Sequence, residues 1–370
     1  MYTMKASTVS LALRLIAGAI LSLILLSGCS ALGNAWLSSP PQKELVLYSW
    51  SEYIPEPILD AFAAEYGVTV SILAYPSQEE AIANIRSGAV EYDIAIIENV
   101  FIPQLVADNM LAEIDLRNIP NFKNIYQQFR DMAYDPGNQH SLPYNWGTSG
   151  LLVRSDLVTE PITGWADLWN PRYAGKIGVR NQPVEMIDIA LHALGYPIGT
   201  GDPAQLEAAL AQLLKLKDNV VIVPPDEDIA LQMLSDGVVW ILQGWNGDMV
   251  GVDEQSPPIQ YILPAEGTFL WWDNFVIAAD SPNKATAELF LDFVLRPENS
   301  AQIVEAYSYP SANEAARQFL SDEILNDPVI YPPFDYLAKT DFYVLLTSDI
   351  QERYNDIWRR YEQGDVPPPE

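Results

Sequence analysis

Four short segments of the chain combine an aromatic side chain with a carboxylate. They are residues 50–53, Glu98 with Phe101, residues 244–248 and residues 270–273. The face of an aromatic ring attracts a cation by about 0.5 to 2 kcal/mol, and a carboxylate accepts charge-assisted hydrogen bonds from an ammonium group. A single Trp is more often a core residue and a single carboxylate a solvated one. Their repetition at predicted strand ends and turns nevertheless indicates a site for an organic cation with several charges.

The composition excludes several classes of function. The chain has 370 residues, and 20 Lys and Arg against 49 Asp and Glu give a formal net charge of -29. Such a surface repels the phosphates of nucleic acid and attracts polycations. The single Cys excludes an intrachain disulfide, and two His leave little for a His-based metal site or a charge-relay triad. We therefore expect a protein that is not an enzyme, with no cofactor, no metal and no nucleic-acid partner.

Strands and helices are predicted to alternate from residue 44 onward. The hydrophobic patterns predict strands at 45–48, 68–74, 93–97, 150–154, 176–180, 220–223 and 275–279, and helices at 58–66, 81–88, 204–216 and 284–295. This alternation predicts an α/β fold with mostly parallel sheets flanked by helices. Ligands of such sheets bind beyond the carboxyl ends of the strands. Residues 50–53 and 98–101 should therefore face one crevice.

The beginning of the chain has the pattern of a secretory signal peptide. Residues 15–26 form an apolar run interrupted only by Ser22, and about 12 residues is short of the roughly 20 that span a bilayer. The run ends in Leu-Ser-Gly-Cys at 26–29, which looks like the lipobox of bacterial lipoproteins. That likeness implies a signal peptide over 1–28, lipid attachment at Cys29 and a tether over 29–43. A plain signal peptide followed by an idle thiol is the alternative.

Six segments give the chain a resemblance to the spermidine/putrescine-binding proteins of bacterial ABC transporters. They are residues 47–55, 142–147, 165–169, 271–273, 295–298 and 330–333. The resemblance runs from about residue 45 to residue 364. It implies a two-lobed periplasmic-binding-protein fold of type II, in which hinged crossover segments let the lobes close over a ligand. The expected lobes are 44–146 with 272–318, and 147–271 with 319–370.

The resemblance also implies a function and a set of binding residues. The function is that of a monomeric, lipid-anchored component of an ABC importer, which captures putrescine or spermidine outside the cytoplasm and delivers it to a permease. The positions that match the family's aromatic, polar and acidic ligand contacts are Trp50, Ser51, Glu52, Tyr53, Glu185, Trp245, Asp248, Trp271 and Asp273.

The choice between the two polyamines depends on a few departures from the family pattern. Glu98, Val100, Gln182 and Val344 stand where the spermidine-binding branch has Ser, Tyr, Asp and Gln. Asp248 matches an acidic contact of the putrescine-binding branch, so we expect a preference for putrescine. Glu98 is a further candidate contact. If its side chain faces solvent, as most carboxylates do, the expected preference for putrescine is unchanged. If it faces the crevice, its negative charge could hold an extra amine and the affinity for spermidine would increase.

Two other functions fit parts of the sequence. A ferric ion could be bound by Tyr307, Tyr309 and nearby carboxylates, because phenolates and carboxylates are hard ligands, but the Trp-rich slot would then have no purpose. A carboxylate-dependent extracytoplasmic hydrolase could use the acids at 226–228. Adjacent acids that follow two prolines more often form a solvated loop, so this interpretation ranks below the metal.

Overall fold

The computed structural model describes residues 44–51, 53–224, 227–252, 256–337, 340–342 and 346–364. The predicted signal peptide, the lipid-attachment residue Cys29 and the tether lie outside these residues, as do Glu52, Asp226 and Val344. Within the described ranges, no helix has the length and apolar character needed to cross a bilayer.

Ten strands of the described chain form one mixed sheet. They are β1 (Glu44–Ser49), β2 (Thr69–Ala74), β3 (Ile94–Glu98), β4 (Ser141–Arg154), β5 (Ile177–Arg180), β6 (Val220–Val223), β7 (Ile241–Trp245), β8 (Ile259–Ile262), β9 (Phe269–Ile277) and β10 (Asp341–Phe342). The order is β2-β1-β3-β9-β4-β7-β5-β6, with β8 on β4 and β10 on β9. The groups β2-β1-β3 and β7-β5-β6 are parallel. β9 runs antiparallel to β3 and β4, and β4 runs antiparallel to β7 and β8, whereas the short β10 pairs with β9 in parallel.

Eleven α-helices of the described chain flank the sheet or close its loops, beside seven short 3-10 helices. They are α1 (Glu56–Tyr66), α2 (Gln78–Ser87), α3 (Ile102–Ala107), α4 (Pro183–Ala193), α5 (Pro203–Leu216), α6 (Glu227–Ser235), α7 (Lys284–Val294), α8 (Pro297–Tyr307), α9 (Asp322–Asn326), α10 (Phe334–Leu337) and α11 (Ser348–Gln363). Capping follows the sequence, since the αL conformation of Gly67 and Gly88 ends α1 and α2.

Two hydrophobic cores lie on either side of the middle of the sheet. One gathers β1, α1 and α7 around Leu45, Phe62 and Phe290, and the other packs α4, α5 and α11 around Trp165 and Leu210. The predicted lobe boundaries, 146/147 and 271/272, fall inside β4 and β9. Both strands lie at the centre of the strand order. The exact limits of the lobes stay a prediction.

The predicted α/β class is confirmed, but two central strands are longer than expected. β4 begins at Ser141 rather than at residue 150, and β9 begins at Phe269 rather than at residue 275. Every residue of both strands is buried, so neither shows the alternation that marks a strand with one solvated face. As a consequence Trp271 and Asp273 lie within β9, whereas the predicted strand began only at residue 275.

Candidate functional site

A buried carboxylate lies at the centre of the sheet. Asp273 on β9 is 3% exposed, and the Tyr53 hydroxyl donates a hydrogen bond of 2.5 Å to its Oδ2. Its Oδ1 is buried and has no hydrogen-bond partner among the described residues. Burial raises the pKa of Asp273 to about 7, and the bond from Tyr53 acts in the opposite direction. The carboxylate therefore has one oxygen in place for a further donor.

A second carboxylate is the direct cross-strand neighbour of the first. Glu98, the last residue of β3, pairs with Asp273 in the antiparallel register of β3 and β9, so both side chains lie on one face of the sheet. Burial, followed by the charges of Asp273, Glu79 and Glu185, holds the pKa of Glu98 well above its usual range. Glu98 is half-buried. Its side chain therefore lies beside Asp273 rather than in open solvent, and its effect on the choice of polyamine stays a prediction.

Aromatic rings surround this carboxylate pair. Trp271 and Tyr309 meet edge to face at 5.1 Å, and Tyr309 meets Tyr53 at 5.9 Å. Tyr307 lies 6.5 Å from Tyr53. The two tyrosines considered as metal ligands thus stand in an aromatic wall beside Asp273. Rings arranged in this way present π faces and hydroxyl groups to a cation.

The residues around Trp50 form the outer edge of this wall. Trp50 is half-buried and packs on Tyr75 at a centroid distance of 4.8 Å. The Tyr75 hydroxyl donates to the carbonyl of Ile96 on β3, and the charges of Asp273 and Glu98 add to the burial that raises the pKa of Tyr75. Trp50 therefore lies close to the carboxylate pair, as predicted from the sequence, whereas Ser51 is exposed.

Two glycines let the turn after β7 approach the aromatic wall. A Cβ on Gly147 would overlap the Trp271 indole and the Asn246 side chain, and one on Gly247 would overlap the Tyr309 ring. Asn246 accepts a hydrogen bond of 3.0 Å from the backbone of Thr148 on β4. This turn therefore brings the carboxyl end of β7 to the middle of β4, beside the carboxyl end of β3.

The turn holds a cluster that sequence reasoning only partly foresaw. Nη2 of Arg180 donates to both carboxylate oxygens of Asp248, at 3.0 and 2.9 Å, and its guanidinium lies 4.2 Å from the centroid of the Trp245 ring. The backbone N–H of Trp245 donates to Asp248 Oδ2 at 2.8 Å. Arg180 and Asp248 are both 2% exposed, while Trp245 is half-buried. Asp248, predicted as a ligand contact, is therefore matched by a cation of the protein itself.

Arg180 is the site residue that sequence reasoning missed. It ends the four-residue strand β5 and lies 68 residues before its partner. A buried Arg needs a partner, but the burial of Arg180 is visible only in the structure. No local spacing connects Arg180 with Asp248.

Glu185 completes the acidic side chains of the site. It is buried in the first turn of α4, and its charge contributes to the raised pKa values of Glu98 and of Tyr261. The structure thus brings together eight of the predicted contacts, which are Trp50, Tyr53, Glu98, Glu185, Trp245, Asp248, Trp271 and Asp273. Glu52 lies outside the described residues.

Comparison with known proteins finds one matching family and several similar proteins. Residues 58–332 match the family described as bacterial extracellular solute-binding proteins. A spermidine/putrescine-binding periplasmic protein of Escherichia coli is 33% identical over 337 residues, which are 90% of this chain and 96% of that protein. A putrescine-binding periplasmic protein of Pseudomonas aeruginosa is 29% identical over 341 residues, 87% of this chain and 92% of the relative.

Solved structures show the same architecture. A spermidine/putrescine ABC transporter substrate-binding protein from Streptococcus pneumoniae superposes with a TM-score of 0.79 at 30% identity, covering 87% of this chain and 99% of the other. A spermidine/putrescine ABC transporter protein from Listeria monocytogenes, described as putative, gives 0.78 at 27% identity, with 87% and 99% coverage. The predicted periplasmic-binding-protein fold of type II is therefore confirmed.

Proposed function

This chain belongs to the family of bacterial extracellular solute-binding proteins, and from that premise we propose that it captures a polyamine for an ABC importer. The observation that carries the proposal is the Asp273 carboxylate, buried between aromatic rings with Oδ1 without a hydrogen-bond partner in the described part of the chain. A buried acceptor of this kind is costly unless a ligand satisfies it. An ammonium group supplies both the missing donor and the charge.

The charges of the site fit a ligand with more than one ammonium group. Two positive charges in a buried slot need at least two ionised carboxylates as partners. Asp273, Glu98 and Glu185 supply these charges, while Trp271 and Trp50 offer apolar surface to the methylene groups between the amines. The relatives named for spermidine and putrescine support this ligand class.

The finer features of the proposal follow from the sequence. We propose a monomer that is anchored by lipid at Cys29 to the periplasmic or extracellular face of the bacterial membrane. Closure of residues 44–146 with 272–318 onto residues 147–271 with 319–370 would present the loaded protein to its permease. A ligand that contacts both lobes favours the closed state by its differential affinity for that state.

A calorimetric titration panel tests the ligand class. Putrescine, cadaverine, spermidine and spermine are compared with n-butylamine, which lacks the second charge, and with 1,4-butanediol, which lacks both. We expect binding of at least one polyamine and little or none of the two controls. Thermal melts should show the same order, because a ligand that binds only the folded protein raises its melting temperature. Equal binding of butanediol, or binding of ferric citrate with no response to any polyamine, would overturn the proposal.

A further inference from the structure

The cluster at the turn after β7 already contains the interaction that a polyamine would be expected to make there. Asp248 and Trp245 offer a carboxylate and an aromatic face, the pair of groups that binds an ammonium. In this structure the cation at that position is the Arg180 guanidinium, which is hydrogen-bonded to both Asp248 oxygens and stacked on Trp245. The protein supplies its own cation at one end of the site.

The register of the sheet places this cation at the same crevice as Asp273. Gly178 on β5 pairs with Leu242 on the parallel strand β7. Two residues further along each strand, Arg180 and Gly244 therefore lie side by side at the carboxyl ends. The turn that follows β7 packs on Tyr309 through Gly247. Tyr309 in turn contacts Trp271 and Tyr53, and Tyr53 bonds Asp273.

We infer that Arg180 is a specificity-determining residue that occupies a cation-binding position of the site and thereby restricts the ligand to a diamine. This inference rests on the proposed function. The structure shows Asp248 with both oxygens engaged by Arg180, and a third ammonium group brought to this position would meet a like charge instead of a carboxylate. Asp248, which the sequence matches to a putrescine contact, is engaged by Arg180 in this structure, so Asp273 and Glu98 are the acids that match the two charges of a diamine.

The test measures the affinities for putrescine and spermidine in one set of variants. Arg180→Gln removes the built-in cation and leaves Asp248 open to an ammonium group. We expect the ratio of spermidine affinity to putrescine affinity to rise by about tenfold or more, which is typical of a hydrogen bond to a charged group. Arg180→Lys keeps a cation at the position, so its ratio should stay close to that of the parent.

A matched control exists in the same half of the sheet. Arg154 is 7% exposed and forms two hydrogen bonds of 2.8 Å with Asp156, but it lies at the far end of β4 from the crevice. Arg154→Gln also removes a buried guanidinium from its ion pair, here with the exposed Asp156, and should lower thermal stability without changing the ratio of affinities. A shift of similar size in Arg154→Gln would show that loss of packing explains the effect, and the inference would fall.

The other outcomes are equally distinct. If Arg180→Gln does not fold, the double variant Arg180→Gln with Asp248→Asn removes both charges, and the vacated Trp245 face should still raise the ratio by about threefold. If Arg180→Gln or the double variant folds and has the same ratio of spermidine to putrescine affinity as the parent, Arg180 does not determine specificity. The proposed function is unaffected by that result. A parent protein that binds no polyamine overturns both.

Discussion

Glu98 and Asp273 are directly opposite each other in the antiparallel pairing of β3 and β9. Two carboxylates in this position repel each other when both are ionised, and burial adds a cost to each charge. The pKa of Asp273 is raised to about 7 and that of Glu98 well above its usual range. A polycation removes this cost, so occupation of the site is coupled to the release of protons.

The stability of the free protein should fall as the pH rises from 5 to 7. The unfolded Asp273 loses its proton near pH 4, whereas the folded one keeps it until about pH 7, so the folded state binds more protons in this window. The resulting slope is at most about 1.4 kcal/mol per pH unit for one group. Whereas the stability of the free protein falls over this range, its affinity for a polyamine should increase up to about pH 7. The reason is that an ammonium group binds the ionised form of the Asp273 carboxylate.

Thermal melts between pH 5 and pH 8, with and without saturating putrescine, measure both effects. Glu65 and Asp115, whose pKa values are lowered to about 2 by arginine partners, titrate below this range. Asp273→Asn should flatten the pH dependence of the free protein. A putrescine-induced increase in melting temperature that is the same at pH 5 and pH 8 would contradict the coupling.

Asp273→Asn should weaken polyamine binding by roughly 30-fold or more. Removal of one member of a buried, hydrogen-bonded charge pair costs about 2 to 5 kcal/mol. Asp188 provides a matched control, because it is also buried and accepts a tyrosine hydrogen bond, 2.8 Å from the Tyr354 hydroxyl. Calorimetry should show a large loss of affinity for Asp273→Asn and none for Asp188→Asn. Equal affinities in the parent and Asp273→Asn would exclude Asp273 as the anchor.

Tyr53→Phe should raise the pKa of Asp273 further and weaken binding at neutral pH by about tenfold. The Tyr53 hydroxyl donates to Oδ2 and lowers this pKa, and a hydrogen bond to a charged group contributes about 1.5 to 3 kcal/mol. The affinity should recover in part at pH 8 to 9, where the carboxylate ionises without this donor. Tyr354→Phe is the control and should leave the pH profile of binding unchanged.

Gly147→Ala should displace the Trp271 indole and reduce polyamine affinity. A new Cβ at this position overlaps the indole, and overpacking of a buried site costs about 1 to 3 kcal/mol. Gly178→Ala crowds the end of the Leu242 side chain within the core, so it should affect melting temperature only. Unchanged affinity in a folded Gly147→Ala variant would show that the position of Trp271 is unimportant for binding.

Cys29→Ser should release the protein from the membrane. Each buried methylene of an acyl chain contributes about 0.8 kcal/mol, and two or more chains give stable anchoring. Fractionation of cells should place the parent with membranes and the variant in the soluble fraction. Identical fractionation of the two proteins would favour a plain signal peptide followed by an idle thiol.

The sequence alone determined the candidate chemistry of the site and the class of the fold. Side-chain type is a local property, so Trp50, Trp271 and Asp273 could be identified as candidate cation-binding residues from their types and their neighbours in the chain. The alternation of strands and helices is also a local pattern, and it predicted the α/β class. The carboxyl ends of β1 and β3 were expected at one crevice for the same reason.

The tertiary structure decided how these groups pair. The opposition of Glu98 and Asp273 depends on the register of two strands far apart in the chain, and no local pattern encodes it. The match of Arg180 with Asp248 likewise depends on how β5 and β7 lie side by side. The raised pKa of Asp273 results from burial, which only packing creates. Long-range pairing and desolvation are properties of the folded chain, and they determine which carboxylates remain for a ligand.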